Sequence, residues 1–171
     1  MRFAALALLC PLLSLGCATS EEAALEPIET PRINAKPEVL VFGEELELVR
    51  AKMEPLCTSI TQRDIEPIQL PTARTSQIQL DCEGFHYAGA PRLAELVFAD
   101  GVLELVWILV EPEELPQLVQ DFRDLYGDPT HDNEQVTFFL DDACAVRFEP
   151  AEVLFLSERL KEPYAQFLSG S

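Results

Sequence analysis

Basic residues are scarce in this chain. Twelve Lys and Arg stand against 30 Asp and Glu, for a net charge of −18. No Lys/Arg stripe exists, so no nucleic-acid partner is expected, because phosphate binding needs clustered cations. The acidic residues are spread along the chain and read as a solvated surface, with a basic partner as the alternative. Histidine is rarer still, with His86 and His131 the two present. Together with Cys57, Cys82 and Cys144 they show no paired ligand spacing, so no metal is expected. The seven glycines sit singly at turns, which leaves no phosphate loop. Neither a Gly-x-Ser-x-Gly elbow nor a His-Glu-x-x-His helix occurs, and no cofactor is expected. The first apolar run, Phe3 to Leu13, falls short of the roughly 20 residues a spanning helix needs.

What is present begins at the amino terminus. Arg2 precedes the uncharged run, which closes on Leu13-Ser14-Leu15-Gly16-Cys17. A charged start, a short apolar core and a small residue before the cut are the parts of an export signal. The Leu13–Cys17 ending resembles the lipobox of bacterial lipoproteins. Gly16 and Cys17 fit its strict part, while Ser14 and Leu15 fit its relaxed part. The resemblance implies cleavage after Gly16, a diacylglyceryl group on Cys17 and acylation of the new amino terminus. Ala18, where Asp would retain the protein in the inner membrane, resembles the outer-membrane class. The expected location is therefore the bacterial envelope, membrane-anchored through Cys17 and facing the periplasm. The alternative is an ordinary secretory signal with an incidental cysteine.

Five cysteines occur. Cys10 leaves with the signal and Cys17 is the anchor. Cys57, Cys82 and Cys144 remain, in a compartment that permits disulfides. Cys57 ends a predicted helix and Cys82 a predicted strand in the same half of the chain, and they are expected to pair. Cys144, between Ala143 and Ala145, reads as a small buried thiol.

Residues 17–38 read as a flexible tether, rich in charge and proline without apolar periodicity. A single domain is expected over 39–168. Leu46, Val49, Met53, Leu56 and Ile60 recur at helical steps and predict a helix from Glu44 to about Cys57, with Pro55 its defect. Residues 61–75 read as a proline-marked connection. Strands follow at 77–82, continued past an expected bulge at Gly84 by 85–87, then at 92–99 and 102–110. Asp100-Gly101 is a two-residue hairpin signal. The strand at 102–110 is apolar on both faces and reads as central. Its alternation sets Leu103, Leu105, Trp107 and Leu109 on one face. Val102, Glu104, Val106, Ile108 and Val110 fall on the other. A second helix is expected within 112–126, with Leu115, Leu118, Val119, Phe122, Leu125 and Tyr126 on one face and Gly127 as its stop. Strands at 135–140, 143–149 and 153–157 and a short helix at 158–168 complete the chain. The expected fold is α+β: an antiparallel sheet of about six strands from two helix-plus-three-strand units, helices mainly on one face. This order resembles small secreted helix-plus-meander repeats, such as the β-lactamase-inhibitor fold and small lipoproteins of the outer-membrane assembly machinery. No functional residue is carried over from either.

Four places in the chain carry residues that could do chemistry. Asp128, Thr130 and Asp132 mimic the start of a calcium loop, but Asn133 and Phe139 break the pattern. His131 there reads as a solvated loop residue. Cys82, Glu83 and His86 could form a cysteine–histidine nucleophile, against a structural disulfide beside a turn. Glu95 and Glu104 could form a carboxylate pair, or be plain surface. Arg147, inside an apolar strand, should pair with a carboxylate such as Glu95, Glu104 or Glu149. Trp107 reads as core. With no catalytic residue expected, the function read from the sequence is that of a non-enzymatic envelope lipoprotein that binds a protein partner or supports envelope assembly. A periplasmic inhibitor or small-ligand carrier is the alternative, and an envelope enzyme the rival from another class. A second side of the central strand, covered by loop 61–75 or by the tether, would be core; left open, it would be a binding face.

Overall fold

The computed structural model describes residues 35–169. The expected signal segment, Cys17 and most of the expected tether lie outside the described residues. Helix α1 covers Leu46–Met53 and buries Leu46, Val49 and Met53. It stops four residues before the expected end. Pro55 lacks an N–H and its ring crowds the preceding turn, so Glu54–Leu56 tighten into a 3₁₀ turn.

The segment expected to be a connection holds the first strand, β1, at Ser59–Asp64. It pairs antiparallel with β2, Gln77–Tyr87, from Ser59 opposite Glu83 to Asp64 opposite Ile78. Five of its six side chains are exposed, so it shows no apolar alternation. Backbone pairing makes this strand, along with the adjacent Cys57–Cys82 disulfide (Cα–Cα 5.4 Å). Ile60, expected on the helix, packs from β1 against the core. In β2 the register shifts between Glu83 and Phe85, as the expected bulge at Gly84 requires. Gly84 has φ +76°, and a Cβ there would come within 2.6 Å of Thr58 Cγ2.

Strands β3 (Ala90–Ala99) and β4 (Val102–Leu109) form the expected hairpin. Asp100 and Gly101 have φ of 51° and 89°, the left-handed pair that a two-residue turn of this hand needs. A second bulge was not foreseen. Phe98 opposes Leu103 while Val97 opposes Leu105, leaving Glu104 as the extra residue. Leu103 therefore joins Val106 and Ile108 on the helix-covered face, and not Leu105 and Trp107 as strict alternation implied.

Helix α2, Leu115–Tyr126, buries Leu115, Leu118 and Phe122. A capping box between Glu111 and Glu114 opens the 3₁₀ turn that leads into it. Strands β5 (His131–Asp132), β6 (Val136–Phe139), β7 (Cys144–Arg147) and β8 (Glu152–Leu156) follow. A 3₁₀ turn at 158–160 leads into α3, Lys161–Ser169.

All eight strands form one antiparallel sheet in the order β1-β2-β3-β4-β8-β7-β6-β5. The expectation of about six strands in units of three is corrected to two helix-plus-four-strand meanders, joined where β4 meets β8. The two missed strands are the polar edges, β1 and the two-residue β5. On the first face, α1 and α2 enclose Leu40, Met53, Leu80, Phe98, Phe122, Phe139 and Phe155. The free thiol of Cys144 is buried there too, and burial pushes its pKa up. On the second face, Val97, Leu105, Phe138, Leu154 and Leu156 meet Leu70 and Ala73 of the 65–76 loop and Leu160, Tyr164 and Ala165 of the carboxy-terminal segment. Helices are therefore not confined to one side.

Candidate functional site

The second face is covered at one end and open at the other. The covered end is tied down by Asp100 at the β3–β4 turn. Its Oδ1 accepts from the backbone N–H groups of Arg74, Thr75 and Ser76 (3.0, 2.7 and 3.1 Å) and from Thr75 Oγ1 (2.8 Å). These donors hold its pKa well below the usual carboxylate range. Gln77 Oε1 accepts from the N–H groups of Gln69 and Leu70 (2.7 and 2.8 Å), which seats Leu70 on the sheet. Loop cover, one of the two alternatives open from the sequence, is thus present over Val97 and Leu105.

Past Leu105 the cover ends. Trp107, expected as core, is half-buried, as are Leu93, Glu95 and Leu109 on the same side. Across the strands at this level runs a charged row. Arg63 of β1 contacts Asp81 of β2 (Nε–Oδ2 2.7 Å) and, more loosely, Glu95 of β3 (3.4 Å). Glu95 opposes Trp107 of β4. The Arg147 guanidinium of β7 lies over the Trp107 ring at 4.4 Å, and the Tyr164 ring stands tilted by 52° to the indole with centroids 6.3 Å apart. Arg147 pairs with Glu152 of β8. A carboxylate partner is thus present as expected, but it is Glu152 in place of the examples Glu95, Glu104 and Glu149. Cross-strand register explains this, because Arg147 sits directly opposite Glu152.

The electrostatics of this row are unbalanced. Glu152 is 3% exposed, and burial pushes its carboxyl up to about 7 against the opposing pull of Arg147. Its Oε1 touches the guanidinium yet accepts no well-formed hydrogen bond, and Arg147 Nε also lacks one. Burial, then the nearby Asp81, raises Glu95, with Arg63 opposing. Burial likewise lifts Tyr164 to about 12. A row of partly compensated charges beside a half-buried indole can bind polar groups.

Beyond Trp107 the face ends in a hollow of about 390 Å³ lined by Glu83, Gly84, Pro91, Arg92, Leu93, Leu109, Val110 and Glu111. Arg92, 8% exposed, donates to Glu114 (2.6 Å) and more weakly to the Tyr87 carbonyl (3.4 Å). Glu83 and Glu111 stand exposed.

The other sequence candidates fall elsewhere. Cys82 is bonded to Cys57, as expected, so it is no nucleophile for His86, which lies exposed on β2. Glu104 does not meet Glu95. It is 1% exposed and accepts from Ser157 Oγ and from Arg159 Nη1 (2.7 Å), so the surface reading is corrected for this residue. Glu95 opposes Trp107, three residues further along β4 than Glu104, so the hairpin register never sets the two carboxylates opposite each other. His131 stacks on Phe138 (6.2 Å, 11°) in β5 and is not a free loop residue. Asp132 accepts from Arg123 and from Thr137 Oγ1 (2.5 and 2.8 Å). Among the described residues no group of His, Cys, Asp or Glu is placed to hold a metal, and no helix is long and apolar enough to cross a membrane. The Arg147–Glu152 pair and the hollow were missed by sequence reasoning. The available signal was Glu152 itself, a charge heading the apolar run Val153-Leu154-Phe155-Leu156.

No protein-family model, no curated protein and no solved structure matches this chain.

Proposed function

We propose that this is a non-enzymatic lipoprotein of the bacterial envelope, anchored through Cys17 at the outer membrane, which binds another protein with the open end of its second sheet face. The observation that carries the reading is the half-exposed Trp107–Leu93–Leu109 surface beside a charged row, on a strand whose opposite side is dry. Exposed apolar surface with convergent polar groups on a rigid sheet is what a partner-binding face offers. Support for the anchor is the resemblance of Leu13–Cys17 to a lipobox; several acyl chains hold a protein firmly on a bilayer. The Cys57–Cys82 bond suits an oxidising compartment such as the periplasm.

Two measurements test the reading. In a bacterial host, Cys17→Ser should abolish palmitate labelling and membrane retention, and labelling that persists would remove the anchor. Leu93→Lys and Leu109→Lys should abolish copurification of a crosslinked partner from native membranes while leaving the melting temperature nearly unchanged. A large loss of stability instead would mean that these residues serve as core.

A further inference from the structure

We propose that the hollow at the open end of the second face receives a single Arg or Lys side chain of the partner protein, an assignment that rests on the binding-face reading above. The lining supplies both halves of what such a side chain needs. Pro91, Leu93 and Leu109 give apolar surface for the methylene stem. Glu83 and Glu111, both exposed, give carboxylates for the charged head. Basic side chains lay their stems on apolar surface and keep the head with polar partners. The volume of about 390 Å³ accommodates one such side chain with water.

Charge favours the same occupant. Arg92, the cation in the lining, is held by Glu114 at 2.6 Å, so its charge is matched inside the fold. Asp81 and Glu95, further along the face, share Arg63 between them. Glu111 accepts the Glu114 N–H in its capping box, but neither it nor Glu83 has a cationic partner among the described residues, so the net charge at the hollow is negative. An anionic ligand would meet two carboxylates with no free cation to oppose them. The net charge of −18 also draws a basic partner over distance and repels an acidic one. The wall at Gly84 is stiff, because the Thr58 N–H and hydroxyl both donate to the Glu83 carbonyl (2.7 and 3.0 Å) beside the disulfide. A stiff wall lowers the entropy lost on binding.

The test titrates the full chain, purified in detergent, with acetyl-Gly-Arg-Gly-amide and follows the methyl signals of Leu93, Leu109 and Val110. Saturable shifts confined to these methyls are expected, in the millimolar range and weakening as salt is added. The Glu83→Gln/Glu111→Gln double variant should weaken binding about fivefold, since exposed charge pairs are individually modest. Gln at 111 keeps an acceptor for the cap of the following turn, so the fold stays comparable. No shift at these methyls would overturn the proposal, as would equal binding of the uncharged citrulline peptide. Putrescine binding more tightly than the peptide would overturn the protein side chain as occupant. If the peptide seats in the hollow but Leu93→Lys leaves copurification intact, the hollow stands and the binding-face reading falls. If the peptide fails, the hollow falls, and the face is judged by its copurification test.

Discussion

The two faces of one sheet are built on different terms. The face under α1 and α2 is filled with rings: Phe122 meets Tyr126, Phe139 and Phe155 at centroid distances of 5.4, 5.9 and 6.2 Å, and Tyr87 meets Phe155 at 6.2 Å. The opposite face holds the two buried carboxylates, Glu104 and Glu152, among the described residues. Glu104 has two good partners, and Glu152 does not. Burial of phenylalanine rings stabilises without any demand for hydrogen-bond partners. A buried carboxylate stabilises only when its hydrogen bonds are complete, and otherwise it costs several kcal/mol (on the order of the desolvation penalty). The first face is therefore the foundation of the fold. The second spends part of its area on a charged row and a hollow that stability does not require.

That contrast can be broken experimentally, and the first face should show the largest effect. Phe155→Ala should cost about 3–5 kcal/mol in urea unfolding, because the ring is fully buried against those of Tyr87 and Phe122. A loss similar to that of Leu93→Ala would erase the distinction between the faces. Removal of the disulfide by Cys57→Ala/Cys82→Ala should cost about 3–4 kcal/mol on the loop-entropy account for its 25-residue separation. Amide exchange should quicken first in β1, which has little core of its own. Uniform exchange across the sheet would show that the bond does not act locally.

The third effect is smaller and lies on the second face. The folded pKa of Glu152, about 7, stands above its ordinary value of 4.5. A raised carboxyl binds its proton more tightly when folded, so stability should fall as pH rises from the ordinary value through the folded one. Glu152→Gln should remove that fall and gain on the order of 2 kcal/mol at pH about 8 relative to the parent. A parallel pH profile for the variant would mean that Arg147 fully compensates the charge. Leu93→Ala should be the smallest, under about 1 kcal/mol, as expected for a half-exposed leucine on an open face.

Much of this contrast was legible in the sequence, and the rest was hidden for physical reasons. The periodic apolar residues of α2, the Asp100-Gly101 turn, the Gly84 bulge and the Cys57–Cys82 pair depend on local spacing and backbone geometry, which residues carry individually. Strands β1 and β5 leave no such mark. Ser59–Asp64 is polar throughout, and its pairing is backbone to backbone. The bulge at Glu104 was equally silent, since no glycine marks it, and it moved Leu103 to the other face. The pairing of Arg147 with Glu152 depends on the β7–β8 register, which a charge pattern alone does not specify. Candidate-site legibility was correspondingly partial. Two-sided apolarity of residues 102–110 pointed to a second face, but not to where its cover would stop.

The central claim is that the open end of this face meets a partner in the cell. The direct measurement places a photo-reactive phenylalanine at position 93 or at position 48, the latter a residue 50% exposed on the outer side of α1. Irradiation of the intact native host should yield a discrete adduct from position 93, lost when Glu83→Lys and Glu111→Lys are added, and none from position 48. No adduct from position 93, or the same adducts from both positions, would contradict the account.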